Sequence, residues 1–260
     1  MQELLQNIED GARVLDLGCD RGSFDRGDRN VTVIRLDLEE KTPAPENFVR
    51  ADAAQLPFAA RTFDAIISNH SLEHIESLDR ALEEIGRVAK PSALLYVAVP
   101  DASTFSDKLY RWLARGGGHV NPFTSAEALA QKIEQTTGLK HRATRLLHTS
   151  FCFMNRKRRR VAGPRRMLAV GGGYEWTLRL ATYLFRKLDS AFGTRLSVYG
   201  WAFFFGDFPK PITEKVARNV CIRCGSGAQT DWLLEIGAVR RRLLPYYLCT
   251  ACGTRNYFTR

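Results

Sequence analysis

Apolar positions along the chain follow two patterns. Near-continuous apolar runs at 14–18 (VLDLG), 31–38 (VTVIRLDL), 63–71 (FDAIISNHS) and 94–100 (LLYVAVP) predict buried strands. The last is apolar throughout, as a parallel strand covered on both faces should be. Between the runs the spacing becomes helical. Residues 76–89 place Leu78, Leu82, Ile85 and Val88 on one face, and Lys90–Pro91 stops the helix. A second helix is predicted over 124–138, capped by Thr124 or Ser125, and a short one over 2–9. Two further β-like runs lie around 143–153 and 197–206. Strands alternating with helices predict an α/β fold built on a doubly wound, mostly parallel sheet.

Between those last two runs lies an insertion at about 155–195. It opens on RKRRRVAGPRR (156–166), in which seven of eleven residues are basic, and passes GGG (171–173). It ends on 176–192, where Leu178, Ala181, Leu184, Phe185, Leu188 and Phe192 share one side of an amphipathic helix. Packing of that side on the domain is expected, ahead of a substrate lid or a membrane-surface contact. The basic run is expected to be exposed, since burying so many cations is prohibitively costly.

The turn after the first strand carries the chemistry. Gly18 and Gly22 in VLDLGCDRGSF (14–24) let a ligand approach backbone amides without meeting side chains. Only eight residues separate Gly22 from Val31, so the first crossover should be a turn and not a helix. Four blocks occur in order: VLDLGCDRGSF, ADAAQLPF (51–58), FDAIISNHSLEHI (63–75) and RVAKPSALLYVAVPD (87–101). Together they resemble class I S-adenosylmethionine (SAM) dependent methyltransferases of the type 11 family over roughly residues 10–140.

That resemblance implies a Rossmann-like sheet of seven strands with SAM as cofactor. Asp16 would meet the methionine ammonium group, and Asp37, ending the second strand, both ribose hydroxyls. Asp52 would contact the adenine amino group, with the Ala53 N–H beside it, and Asn69 would lie at the ligand-binding edge of the sheet. The chain departs from the family at Asp20, where a glycine is usual; Asp tolerates left-handed backbone better than most residues.

Methyl transfer from a sulfonium is an in-line displacement, in which the protein aligns the acceptor and, for a hydroxyl, removes a proton. Candidate bases are His70 and His119, with His74 more often structural in the family. Ser68–Ser71 (SNHS) lacks the Asn/Asp-Pro-Pro-aromatic motif of amino-methylating nucleic-acid enzymes, and neither Cys19 nor Cys152 has the Pro-Cys context of cytosine C5 enzymes. A small-molecule, carbohydrate or lipid-linked acceptor is therefore favoured. An RNA-gripping nucleic-acid methyltransferase and a non-catalytic binding protein on the same fold are the alternatives.

The remaining cysteines change the picture at the C-terminus. Cys221-x-x-Cys224-Gly and Cys249-x-x-Cys252-Gly supply four thiolates suited to tetrahedral zinc and resemble a zinc ribbon, with an iron–sulfur site or a redox dithiol as the alternatives. A domain boundary is expected near 212/213, with hairpin arms between the knuckles and residues 240–242 near their turn. The net charge is +10, and half of it falls from Glu214 onward, where eight basic residues face three acidic ones. An anionic partner for the tail and for 156–166, nucleic acid or membrane surface, is one expectation from this. No apolar stretch reaches the length of a membrane span and the N-terminus is acidic, so a cytoplasmic location is expected.

Overall fold

The computed structural model describes residues 1–114, 118–158, 174–212, 216–240 and 243–260. The basic run beyond residue 158, the glycines at 171–173 and residues 241 and 242 lie outside them. The chain forms two compact units.

The first unit comprises Met1–Pro100, His119–Arg145 and Trp201–Glu214. Its strands are β1 (Arg13–Leu17), β2 (Thr32–Asp37), β3 (Phe48–Arg50), β4 (Phe63–Asn69) and β5 (Ala89–Pro100), joined by most of β6 (His141–His148) and β7 (Val198–Phe205). They make one seven-stranded sheet in the order β3-β2-β1-β4-β5-β7-β6, with β3/β2, β2/β1, β1/β4 and β4/β5 parallel. The strand order reverses between β1 and β4, the point where open α/β sheets bind ligands at their carboxyl edge. The sheet core includes Leu15, Leu17, Ile66, Leu95 and Phe203, with Leu82, Ile85 and Val88 from α2 (Leu78–Val88) packed on it. No helix separates β1 from β2, as the short crossover required. Helix α4 (Ala126–Thr137) is capped by Ser125, which accepts the Ala128 N–H at 3.2 Å, and ends on left-handed Gly138.

Elements not legible in the spacing include β3, three residues long, and α3 (Phe105–Leu113), capped by Thr104. Helix α1 (Gln2–Asn7) is short, as expected.

The second unit comprises Asp101–Gly118, Leu146–Gly200 and Lys215–Arg260. Its long helix, α5 (Glu175–Phe192), packs through Leu178 and Phe185 of the side periodicity selects, but is rotated so that the rest of that side is not buried. Leu178, Thr182 and Arg186 are buried, whereas Leu184, Leu188 and Phe192 of the predicted side are exposed, Phe192 at 75%. The reason is polar. The Thr182 hydroxyl donates to the Ser150 carbonyl at 3.2 Å and Arg186 to the Val220 carbonyl at 3.0 Å, and these bonds fix the rotation of the helix. Leu178 shares a core with Leu113, Phe151, Met154 and Ile222, so the first cysteine knuckle and α5 pack in one body.

The region between the knuckles also differs from the expected hairpin arms. Thr230–Glu235 is a short helix, α6, which buries Leu233 against Tyr247 and Phe258. A short apolar run does not distinguish strand from helix by periodicity. The pairing instead runs between β10 (Tyr246–Leu248) and β11 (Arg255–Tyr257), with β8 (Asn219–Val220) against β9 (Gly227–Ala228). Arg240 bridges Tyr246, which closes a turn near the predicted place.

Candidate cofactor cleft and four-cysteine centre

A cleft of about 570 Å³ lies in the first unit at the carboxyl ends of β1, β2 and β4. That volume is ordinary for a small-molecule site. The turn after β1 forms its floor. Gly18 donates its N–H to the Leu36 carbonyl at 2.8 Å, and the Gly22 N–H closes on the Cys19 carbonyl at 2.7 Å. Gly18 has φ +67°, and a Cβ there would stand 2.3 Å from the Ser71 Cβ, so this turn is closed to any side chain. Asp20, in place of the usual glycine, does adopt left-handed backbone at φ +46°. It is held by its own N–H, which donates to Asp37 Oδ2 at 2.8 Å.

Asp37 and Asp52 both stand on the cleft wall with Ala53 and Gly18. Asp37 also accepts the Glu39 N–H at 3.2 Å, and Asp52 accepts the Ala54 N–H at 2.9 Å, which orients each carboxylate. Gly22, Asp16 and Asn69 are not wall residues. Asp16 is fully buried; one oxygen accepts the Ser23 N–H at 2.9 Å, and the other has no hydrogen-bond partner among the described residues. Burial pushes its carboxyl above the usual range, opposed by the Ser23 bonds. A buried carboxylate oxygen left open is costly without a donor or a cation, and an ammonium group answers that need. Five wall carboxylates, Asp20, Asp37, Glu39, Asp52 and Glu76, face one lysine, Lys41. That field suits a ligand carrying sulfonium and ammonium charges, so the residues present fit SAM.

The three histidines gather at one side. His70 and His74 are wall residues; His119 is not, but its ring meets that of His74 edge to face, 4.9 Å between centroids. His70 has left-handed backbone at φ +59°, pinned by its N–H on the Ala98 carbonyl at 2.9 Å. Its Nδ1 lies 3.8 Å from Glu73 Oε1. Burial, with His119 and His74 nearby, pushes the imidazole down to about 4, so it is neutral at pH 7. Ser71, Lys41 and Glu73 carried no signal in the sequence. Ser71 matters because it packs on Gly18, a contact set by the β1/β4 pairing and visible only in three dimensions.

In the second unit the four cysteine sulfurs all lie within 4.8 Å of one another, with Cys221–Cys252 and Cys224–Cys249 at 3.6 Å. A tetrahedral ion with bonds of about 2.3 Å to sulfur spaces its ligands about 3.8 Å apart, so the cluster fits zinc. Gly225 and Gly253 turn each knuckle in left-handed backbone, and the Arg223 N–H points at Cys221 Sγ at 3.4 Å. Burial pushes the Cys221 thiol up. Burial likewise opposes ionisation of Cys252, but the Thr254 hydroxyl and N–H outweigh it and hold that thiol down. Cys152 sits against the same knuckle: a Cβ on Gly225 would stand 3.3 Å from its sulfur.

Residues 1–143 match the model of a methyltransferase-domain family. Among curated relatives, malonyl-acyl-carrier-protein O-methyltransferase of Enterobacter lignolyticus is 31% identical over 137 residues, covering 49% of this chain and 55% of that protein. The human mitochondrial arginine-hydroxylase NDUFAF5 is 33% identical over 132 residues, covering 44% and 38%. The chain thus spans about half the length, or less, of these relatives. A SAM-dependent methyltransferase structure from Archaeoglobus fulgidus superposes with TM-score 0.50 at 19% identity, covering 79% of this chain and 90% of that one, which shows the shared Rossmann-like fold. The matched segment contains the whole cleft, with its glycine turn and acidic wall, and on this basis the chain belongs to the methyltransferase-domain family.

Proposed function

We propose that the protein transfers the SAM methyl group to an oxygen of a small-molecule, carbohydrate or lipid-linked acceptor. The observation that carries this reading is the His70 imidazole on the wall of the acid-lined cleft, a hydrogen-bonding group able to align an acceptor hydroxyl with the cofactor. The name of the Enterobacter relative, an O-methyltransferase, points the same way. His119 then positions His74 and the cleft rim. We read the four cysteines as a structural zinc site whose unit docks the acceptor.

A second cavity of about 210 Å³ within the second unit, where Arg186, Arg195 and Arg218 face Asp189, suits an anion of its own. Asp189 is already engaged by the Ser197 and Leu196 N–H groups at 2.7 Å each. Exposed Arg156, Lys157 and Arg158 add to the positive surface. Among the described residues no helix is long and apolar enough to cross a membrane.

Incubating the protein with methyl-labelled SAM and a cell extract tests the reading. Label should pass to a small, solvent-extractable or lipid product. Label recovered in RNA would favour the nucleic-acid alternative. SAM bound but never consumed by any fraction would leave the non-catalytic one.

A further inference from the structure

Glu73, His74 and His119 converge beside the cleft. One ligand atom from each, a carboxylate oxygen and two imidazole nitrogens, lie within 4.8 Å of one another. The convergence is enforced by backbone. The Val120 and Asn121 N–H groups both donate to the Glu73 carbonyl, at 2.8 and 3.1 Å. The Asn121 side-chain amide donates to the Leu72 and Ile75 carbonyls at 3.0 and 2.7 Å. These four bonds clamp the segment carrying His119 onto the single turn Leu72–His74, although the two are far apart in sequence.

The donor set has a preference. Two imidazoles and one carboxylate, with positions left over, suit a first-row divalent ion and not a soft thiophilic one. Glu73 is 1% exposed, so the packing around it holds its carboxyl group in a fixed place. His74 belongs both to this cluster and to the cleft wall, so an ion held here faces the cofactor site. Bonds of about 2.1 Å place neighbouring ligand atoms about 3 Å apart, a modest closing of the set, and His74 has room to turn because it is exposed. A pair of edge-to-face rings serving only to pack the 119–121 segment is the plain alternative, and it predicts no affinity for metal.

We propose that Glu73, His74 and His119 hold one divalent cation at the edge of the SAM cleft, with open positions that receive an oxygen of the methyl acceptor. The cation site stands on its three ligands; the placing of the acceptor rests on the methyl-transfer reading above. A coordinated hydroxyl loses its proton to solvent more easily. Its oxygen lone pair then forms the new C–O bond as the S–CH3 bond breaks, and that bonding pair remains on sulfur as a neutral thioether.

Manganese is the probe, because a thiolate cluster disfavours it. The full-length protein, with its cysteine site loaded with zinc, is titrated with Mn2+ and the unbound ion is followed by electron paramagnetic resonance. One Mn2+ per chain should bind and should raise the relaxation rate of water protons, the mark of open positions. His74→Phe and His119→Phe keep an aromatic ring in each place and should each weaken Mn2+ binding at least tenfold. SAM calorimetry on the same samples reports whether the cleft is intact. Wild-type protein that binds SAM but no Mn2+, or Mn2+ binding unchanged in both variants, would overturn the site. Bound Mn2+ without faster water relaxation would overturn the open positions. Mn2+ bound where SAM is not would leave the cation site standing and remove the cofactor reading instead.

Discussion

Gly18→Ala tests whether the cleft depends on the close approach of β1's turn to Ser71. The new Cβ would lie 2.3 Å from Ser71 Cβ and 2.9 Å from its Oγ, in backbone at φ +67°. Left-handed geometry costs an L-residue about 1–2 kcal/mol. Forcing a methyl into a filled space adds about 1–3 kcal/mol. The sum, about 2–5 kcal/mol, is a large part of ordinary domain stability yet leaves a folded protein. Both residues are on the cleft wall, so relief of the clash moves the wall and SAM affinity should fall with stability. Ser71→Gly removes the obstructing atoms. It also removes the Ser71 hydroxyl's bond to the Leu17 carbonyl at 3.0 Å and its contact with Ser68 Oγ at 2.6 Å, a loss of about 1–2 kcal/mol. The double variant should therefore be more stable than the two single losses sum to, by a coupling of about 1–3 kcal/mol. Urea unfolding at unchanged slope measures this, with SAM calorimetry alongside. Simple additivity, or a Gly18→Ala protein of wild-type stability and affinity, would refute the argument.

Three further outcomes follow from the two sites. Asp37→Ala should weaken SAM binding by about 1–3 kcal/mol, roughly 5- to 150-fold by calorimetry, the scale of lost charge-assisted hydrogen bonds. Glu175 accepts Arg223 Nε at 2.6 Å and a terminal Arg223 nitrogen at 3.0 Å, and these bonds hold its carboxyl down to about 2 against an ordinary value of 4.5. Its contribution to the second unit is thus complete above pH 4.5 and lost as pH falls toward 2; with solvent screening it amounts to about 1–2 kcal/mol. Glu175→Gln should flatten that acid limb in a pH series of denaturation midpoints. Chelation of zinc should open the tail to protease, and because Ile222 shares a core with Leu178, cleavage should spread into Glu175–Phe192 while SAM binding in the first unit persists; protection of that helix without metal would count against the zinc-dependent core.

What the sequence disclosed and what it hid divide along one physical line. Strands β1, β2, β4 and β5 were legible because a parallel strand buried on both faces writes its environment directly into a run of apolar residues. The glycine turn was legible because backbone freedom and close approach admit few residue types, and Asp20 is among the few that replace glycine at φ +46°. The knuckles were legible because four thiolates at fixed spacing have few uses. The inward side of helix α5 was legible only in part, through Leu178 and Phe185, because its rotation is decided by two polar bonds, from Thr182 and Arg186 to distant carbonyls, which no apolar periodicity reports. The same holds for α6, where Leu233 is buried by Tyr247 and Phe258 from later in the chain.

The histidine side of the cleft belongs to the hidden class, and its concealment is informative. Read singly, His70, His74 and His119 each have an ordinary structural explanation, and Glu73 is simply part of a short turn. Their joint meaning arises from Asn121, whose side chain and N–H bind the turn that carries Glu73 and His74. If Asn121 served only to end a loop, one hydrogen bond to the turn would suffice. Together with Val120 it makes four, two of them to the carbonyl of Glu73 itself, and so fixes His119 opposite that carboxylate. Asn121→Ala should accordingly lower Mn2+ affinity more than SAM affinity, because it releases a ligand while leaving Gly18, Asp37 and Asp52 in place. An equal fall in both would mean that the clamp supports the whole cleft and has no particular bearing on the histidines.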